Sequence, residues 1–268
     1  MVRAKKSLGQ HFIRQPALLA KIADATGAGS GDVVLEVGPG EGGLTEALLD
    51  RGAVVVAIER DERMLEPLRQ RFTGRDLVLV LSDALKADWG RLVLPWTSRG
   101  CRWVVAGNIP YYITSPLLEK ALTFPMPASV TFLVQQEVAD RITAPAGTDS
   151  YGALSVNIQA VAEGTRLFTV SRGVFVPPPK VDSAVLRLIP RSDPLVMPER
   201  FGEFRRLVTS LFSYRRKRLH RALREATGLG ADAASAVLTI AGLDPDVRPE
   251  RLVPAEFARL LDALSAPG

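Results

Sequence analysis

The chain has 268 residues, of which 47% are hydrophobic, 24% charged and 6% aromatic, with a formal net charge of +5. That length fits one large domain, or one large and one small, and the composition excludes disorder as the main state. A single cysteine, Cys101, excludes an internal disulfide and, with two histidines, leaves no ligand set for a dedicated Cys/His zinc site, so no metal is expected.

The N-terminal stretch MVRAKKSLGQHF is basic but runs into no continuous apolar segment, and no stretch approaches the roughly 20 apolar residues of a membrane span. With the cysteine usage, this gives the expectation of a cytoplasmic protein without membrane contact. Val33–Val37 (VVLEV) reads as a buried strand, followed at once by the glycine-rich turn GPGEGG and a helix. The alternation repeats with a strand over 54–58 that closes on Glu59, a helix over 61–72, and strands over 77–81 and 103–106. The turn GNIPYY, a helix after Thr114 and a strand over 130–134 follow. Near-continuous apolar strands between helices predict a mostly parallel, doubly wound α/β sheet covered on both faces. Beyond Tyr151, a helical YGALSVNIQAVAE, a strand near 167–170, the loop FVPPPK and an alternating strand over 183–189 are expected to close the same sheet. The segment 190–198 has three prolines and no periodicity and reads as a linker, and only helices follow it. The expected organisation is an α/β domain over 1–190 and a small all-helical domain over 191–268.

Positive charge concentrates at the back. Up to Val185 there are 20 Lys+Arg against 19 Asp+Glu, and beyond it 14 against 10. The run YRRKRLHRALR puts Arg215, Arg216, Lys217, Arg218, Arg221 and Arg224 on about three turns of a predicted helix. Such a surface suits a polyanionic partner, and equally suits an amphipathic helix whose arginines pair with local acids.

Gly38, Gly40 and Gly43 form a GxGxxG turn directly after a strand, and Glu59 lies 21 positions after Gly38 at the tip of the next one. Glycines let a backbone approach a ligand, and a carboxylate at that tip accepts hydrogen bonds from a ribose diol. The pattern fits a dinucleotide or S-adenosylmethionine (SAM), or a tight turn with no ligand. Asp83 follows the third strand, where it either meets an adenine amine in the crevice above the sheet or caps a helix starting near Ala84. The fourth strand ends in Asn108-Ile109-Pro110-Tyr111, the most specific feature of the sequence. An adenine exocyclic nitrogen is a poor nucleophile because its lone pair is delocalised. The Asn108 side-chain oxygen and the Pro110 carbonyl could each accept one of its N–H groups and localise that pair, while Tyr111 stacks on the flipped base. Phe175, in FVPPPKVDS, is either a second stacking wall or a core residue beneath the prolines.

The motifs GQHFI (9–13), VLEVGPGEGGLT (34–45), NIPYYITSP (108–116), QEVADRI (136–142), YGALSV (151–156) and FVPPPKVDSAVLRL (175–188) closely resemble the ribosomal RNA adenine N6,N6-dimethyltransferases. The similarity runs over nearly the whole chain. It implies a Rossmann-like, SAM-dependent methyltransferase domain with a C-terminal helical RNA-binding domain. The implied reaction is dimethylation of two adjacent adenosines in the 3′-terminal hairpin loop of small-subunit (16S) ribosomal RNA on an assembling 30S particle, with a monomer as the default state. By the same resemblance His11, Ile13, Gly38, Gly40, Glu59, Asp83 and Asn108 would line the cofactor. Asn108, Pro110, Tyr111 and Phe175 would hold the base, and Arg215, Arg216, Lys217, Arg218 and Arg221 would contact RNA. Arg218 stands where relatives usually carry threonine, Arg221 where asparagine is common and Gln136 where lysine is common. These departures concern RNA docking and leave the transfer site alone. The nearest rival is the large-subunit dimethyltransferase of the macrolide-resistance type. A non-catalytic RNA-binding assembly factor on the same scaffold is another, and a NAD-dependent dehydrogenase leaves NIPY unexplained.

Overall fold

The structure, a computed structural model, describes residue 5 and residues 8–265. Among the described residues nine strands form: β1 (Phe12–Ile13), β2 (Val33–Val37), β3 (Val54–Glu59), β4 (Leu77–Leu81), β5 (Trp103–Asn108), β6 (Val130–Gln135), β7 (Ala162–Val170), β8 (Phe175–Val176) and β9 (Ser183–Pro190). The helices of the first 160 residues are α1 (Pro16–Thr26), α2 (Gly43–Leu49), α3 (Leu65–Arg71), α4 (Trp89–Thr97), α5 (Thr114–Ala121), α6 (Gln136–Thr143) and α7 (Ala153–Gln159). The last four are α8 (Phe201–Ser213), α9 (Leu219–Thr227), α10 (Ala231–Ala241) and α11 (Pro254–Ser265).

Seven strands make one sheet in the order β4-β3-β2-β5-β6-β9-β7. The first five pair in parallel, as the apolar runs predict, and β9 pairs antiparallel to β6. All five residues of β2 are buried, which a strand flanked on both faces requires. Strand order reverses between β2 and β5, so their carboxyl ends open a crevice, the position where ligands bind in open α/β sheets. Leu19, Ile22 and Ala23 of α1, Leu44 and Leu48 of α2, and Leu68 of α3 share one apolar core with Val34, Val55 and Ala106 of the strands. Strand β5 approaches β2 with little space to spare, because a Cβ at Gly107 would lie 2.5 Å from the Val37 carbonyl oxygen.

The chain divides into two compact units. One contains the residues up to Ala139 with Gly164–Pro190, the other Asp140–Glu163 with the residues from Arg191 on. The break after Pro190 falls at the proline-rich segment, and the second unit also takes in 140–163, a stretch expected in the α/β domain. Within that unit the Tyr151 hydroxyl donates to the Leu252 carbonyl at 2.8 Å, and the Arg191 N–H donates to the Val161 carbonyl at 2.9 Å. Phe212 stacks on Phe257 at 5.8 Å.

Two local expectations are corrected. The helix expected over 151–163 is only α7, and β7 begins at Ala162 rather than near Leu167. As the outermost strand of the sheet, β7 needs few apolar residues, and its Glu163, Gly164, Thr165 and Arg166 give no strand signal. No helix begins at Ala84. A single turn follows Asp83, and α4 starts at Trp89, capped by the Asp88 side chain accepting from the Arg91 N–H at 3.0 Å.

Candidate active site

One pocket in the first unit gathers the carboxyl ends of β2, β3 and β5 with the segment 8–13. Its first wall is the glycine-rich turn. Gly38 has φ +71°, a left-handed conformation that favours glycine, and a Cβ there would meet nothing within 4 Å, so the turn borders open space. Gly40, φ +56°, is closed on its other side, where a Cβ would lie 2.9 Å from the Phe12 ring.

Glu59 ends β3 and is 5% exposed. Its Oε2 accepts from the Gly40 N–H at 3.2 Å and its Oε1 from the Asp61 N–H at 2.7 Å. Burial pushes its carboxyl above the ordinary range, and the N–H donors pull against that shift. Each carboxylate oxygen has two lone pairs, so both retain capacity for a ribose hydroxyl. Sequence reasoning missed the neighbouring Glu36, the fourth residue of β2, which also lines the pocket. Burial pushes Glu36 up to about 7, with the like charge of Glu59 adding to the shift and the Thr45 hydroxyl, donating at 2.6 Å, opposing it. Its position inside an apolar run, VVLEV, disguises it as one more core position.

The segment 10–13 is tied to three places at once. Gln10 Nε2 donates to Asp61 Oδ2 at 3.1 Å, next to the Glu59 tip. His11 Nδ1 lies 2.8 Å from the Pro177 carbonyl oxygen, so Nδ1 carries the proton. The His11 carbonyl accepts from Asn108 Nδ2 at 2.7 Å. In addition β1 pairs antiparallel with β8, matching Ile13 to Phe175. His11 and Ile13 both line the pocket. Gln10 and Asp61 escaped the sequence reading because their partners are distant in the chain. Arg63 holds Asp61 down to about 2.

Asn108 is thereby oriented. With Nδ2 engaged by a carbonyl, its Oδ1 remains the acceptor in the pocket. Two residues on, the Pro110 carbonyl accepts one hydrogen bond from the Ile113 N–H at 3.2 Å and keeps a second lone pair. The Tyr111 hydroxyl lies 2.6 Å from Ser183 Oγ, a fully buried partner on β9, and its ring is near-parallel to that of His11 at 5.9 Å. Burial pushes the Tyr111 phenol up. Asp83 lines the pocket as one of its two expectations has it, and in place of the expected helix it caps a single turn: its Oδ1 accepts from the Leu85 N–H at 2.9 Å, and its Oδ2 lies 3.5 Å from Arg60.

Phe175 is corrected. It is 2% exposed within the core cluster that includes Phe12, Ile13, Leu133 and Val185, and it does not line the pocket. The cause is β8: pairing with β1 turns Phe175 inward, and the adjacent Val176 takes the exposed position.

In the second unit the run 214–224 is not one helix. Tyr214–Arg218 form the turn between α8 and α9, and Arg218 is the residue preceding the first turn of α9. Lys217 pairs with Glu225 at 3.1 Å, Arg218 with Asp246 at 2.8 Å and Arg221 with Glu225 at 3.6 Å. Arg215, Arg216 and Arg224 are exposed, and their guanidinium groups have no ion-pair partner among the described residues. Both readings of the run therefore apply, to different residues.

A family model described as Ribosomal RNA adenine dimethylase matches residues 1–265. The Ribosomal RNA small subunit methyltransferase A of Phenylobacterium zucineum is 45% identical over 263 residues, covering 97% of this chain and 88% of the relative. Its counterpart in Geobacter metallireducens is 42% identical over 270 residues, covering 100% and 98%. Among solved structures, a dimethyladenosine transferase from Plasmodium falciparum superposes with a TM-score of 0.76 at 28% identity, covering 93% of this chain and 96% of that one. The 23S rRNA methyltransferase ErmE superposes with a TM-score of 0.71 at 28% identity, covering 95% and 100%.

Proposed function

The chain belongs to the ribosomal RNA adenine dimethylase family, and from that premise we propose that it carries out SAM-dependent N6,N6-dimethylation of adenosines in small-subunit ribosomal RNA. The fold alone does not choose the RNA, since a large-subunit enzyme superposes nearly as well as a dimethyladenosine transferase. Identity favours the small subunit: relatives named for it reach 45%, against 28% for the large-subunit enzyme.

The pocket suits SAM. Gly38 borders open space at the turn, and Glu59 is a buried carboxylate at the β3 tip with acceptor capacity left for a ribose diol. His11, Ile13, Gly40, Asp83 and Asn108 would complete its lining. Bound SAM supplies a sulfonium methyl group, an electrophile.

The single observation that carries the reading is the orientation of Asn108. Its amide donor is engaged by the His11 carbonyl, so its Oδ1 is held ready to accept one N6 hydrogen of adenine, and the free lone pair of Pro110 accepts the other. Two acceptors on one amine draw its hydrogens out of the ring plane and localise the lone pair for attack. Tyr111, anchored through Ser183, offers a ring face to the flipped base. A base catalyst is unnecessary before transfer, because the nitrogen becomes acidic only once it has gained the methyl group. The exposed Arg215 and Arg216 suit phosphate contacts, with Lys217, Arg218 and Arg221 available by exchanging an acid for a phosphate. We assign the protein to the cytoplasm, acting as a monomer on the 3′-terminal hairpin of an assembling 30S particle. No described helix is long and apolar enough to cross a membrane.

Asn108→Ala tests the reading. Loss of one preorganised hydrogen-bonding group lowers transfer by roughly 10²- to 10³-fold while circular dichroism stays that of the parent. Transfer within a few-fold of the parent would remove the acceptor role.

A further inference from the structure

The rim of the pocket carries an aromatic ring that the chemistry above does not use. Tyr112 follows Tyr111 in the single 3₁₀ turn Tyr111–Ile113, where successive side chains leave the axis about 120° apart. Tyr111 reaches Ser183, whereas Tyr112 lines the pocket and stays 57% exposed, its hydroxyl without a hydrogen-bond partner among the described residues. The ring is backed on one edge. Gly9, with φ +60°, brings the backbone so close that a Cβ there would lie 3.3 Å from Tyr112 Cε1 and 3.4 Å from Cδ1. An exposed, backed ring beside a pocket for a flipped base is the arrangement by which proteins take up unstacked nucleobases.

We propose that Tyr112 is a second base platform, which stacks with the unpaired nucleobase adjoining the adenosine held in the pocket; this rests on the adenosine-dimethylation reading. Extruding the target adenosine deprives its neighbour of a stacking surface, and Tyr112 replaces that surface. Because every base has a π-face, the platform sets affinity for opened RNA and not base identity.

The test compares the parent with Tyr112→Phe, Tyr112→Leu and Tyr112→Ala on unmodified small-subunit particles at saturating SAM. Loss of the ring in Leu and Ala should raise KM for the particle by roughly 5- to 150-fold, with SAM affinity and thermal unfolding unchanged, and Phe should stay within about threefold. In parallel, 2-aminopurine replaces the base next to the target in a short single-stranded RNA. The parent and Phe should quench its fluorescence on binding, and Leu and Ala should not. Parental KM and quenching in Tyr112→Leu overturn the proposal, as does a Phe variant as impaired as Leu, which would assign the effect to the hydroxyl. A parent protein that methylates no particle defeats the dimethylation reading, and the quenching measurement still decides the platform.

Discussion

Two side chains that line the pocket, the half-buried Tyr111 and the buried Glu36, are each held by a hydroxyl partner. Tyr111 is pinned by Ser183, which is fully buried. Tyr111→Phe keeps the ring but strands the Ser183 hydroxyl, so it should lower stability by about 1–3 kcal/mol in urea unfolding with only a modest change in turnover. Tyr111→Ala should instead weaken RNA affinity, since stacking contributes about 1–3 kcal/mol per base. Equal turnover losses in both variants would mean that the hydroxyl has a chemical role. Glu36 makes a pH prediction. Its carboxyl is pushed from an ordinary 4.5 to about 7 in the folded chain, so between those values the folded state keeps a proton that the unfolded state has released. Its contribution is therefore fully present below pH 4.5, falls as pH rises to about 7 and is level beyond. Glu36→Gln removes this titration, so the stability of the parent relative to the variant should drop by up to about 3 kcal/mol between pH 4.5 and 8. A difference independent of pH would contradict the assignment. Neither partner was legible in the sequence: Ser183 lies 72 positions from Tyr111, and Glu36 sits among valines and leucine with nothing local to distinguish it.

Elements were read well where one periodicity dominates and poorly where two signals overlap. The five parallel strands are apolar runs bounded by turns, and their tips carried Glu59, Asp83 and Asn108 to the crevice as expected. By contrast, the sequence leaves Phe175 open between site and core, because its pairing with Ile13 of the two-residue β1, 162 positions earlier, decides which way it faces. The arginines of 214–224 hid a turn, since good helix formers occupy both sides of it. Close packing of β5 on β2 gives a prediction at this scale. Gly107→Ala forces a Cβ to 2.5 Å from the Val37 carbonyl, so β5 must shift and carry Asn108 with it. The variant should lose both stability and transfer, whereas the same change at Gly100, where a Cβ meets nothing within 4 Å and the cost is only its φ of +84°, should spare transfer. For the turn between α8 and α9, neutralising Arg215, Arg216 and Lys217 together should weaken RNA binding and flatten its salt dependence, because fewer condensed counterions are released. An unchanged salt slope would return the segment to an ordinary solvated surface.

At the scale of the whole molecule, the α/β unit gathers the pocket-lining side chains on one set of strand tips, and the other unit carries exposed arginines at a helix junction. The division after Pro190 was legible from its prolines, whereas the grouping of Asp140–Glu163 with the later helices was not, since it depends on contacts such as Arg191 N–H to the Val161 carbonyl. Together these parts are proposed to dimethylate adenosine in small-subunit RNA. The most direct measurement supplies labelled SAM to unmodified small-subunit particles and, separately, to unmodified large-subunit RNA, and identifies the methylated nucleoside by mass spectrometry. N6,N6-dimethyladenosine is expected in the small-subunit RNA alone. Label confined to large-subunit RNA, or label in neither while SAM still binds, would contradict it.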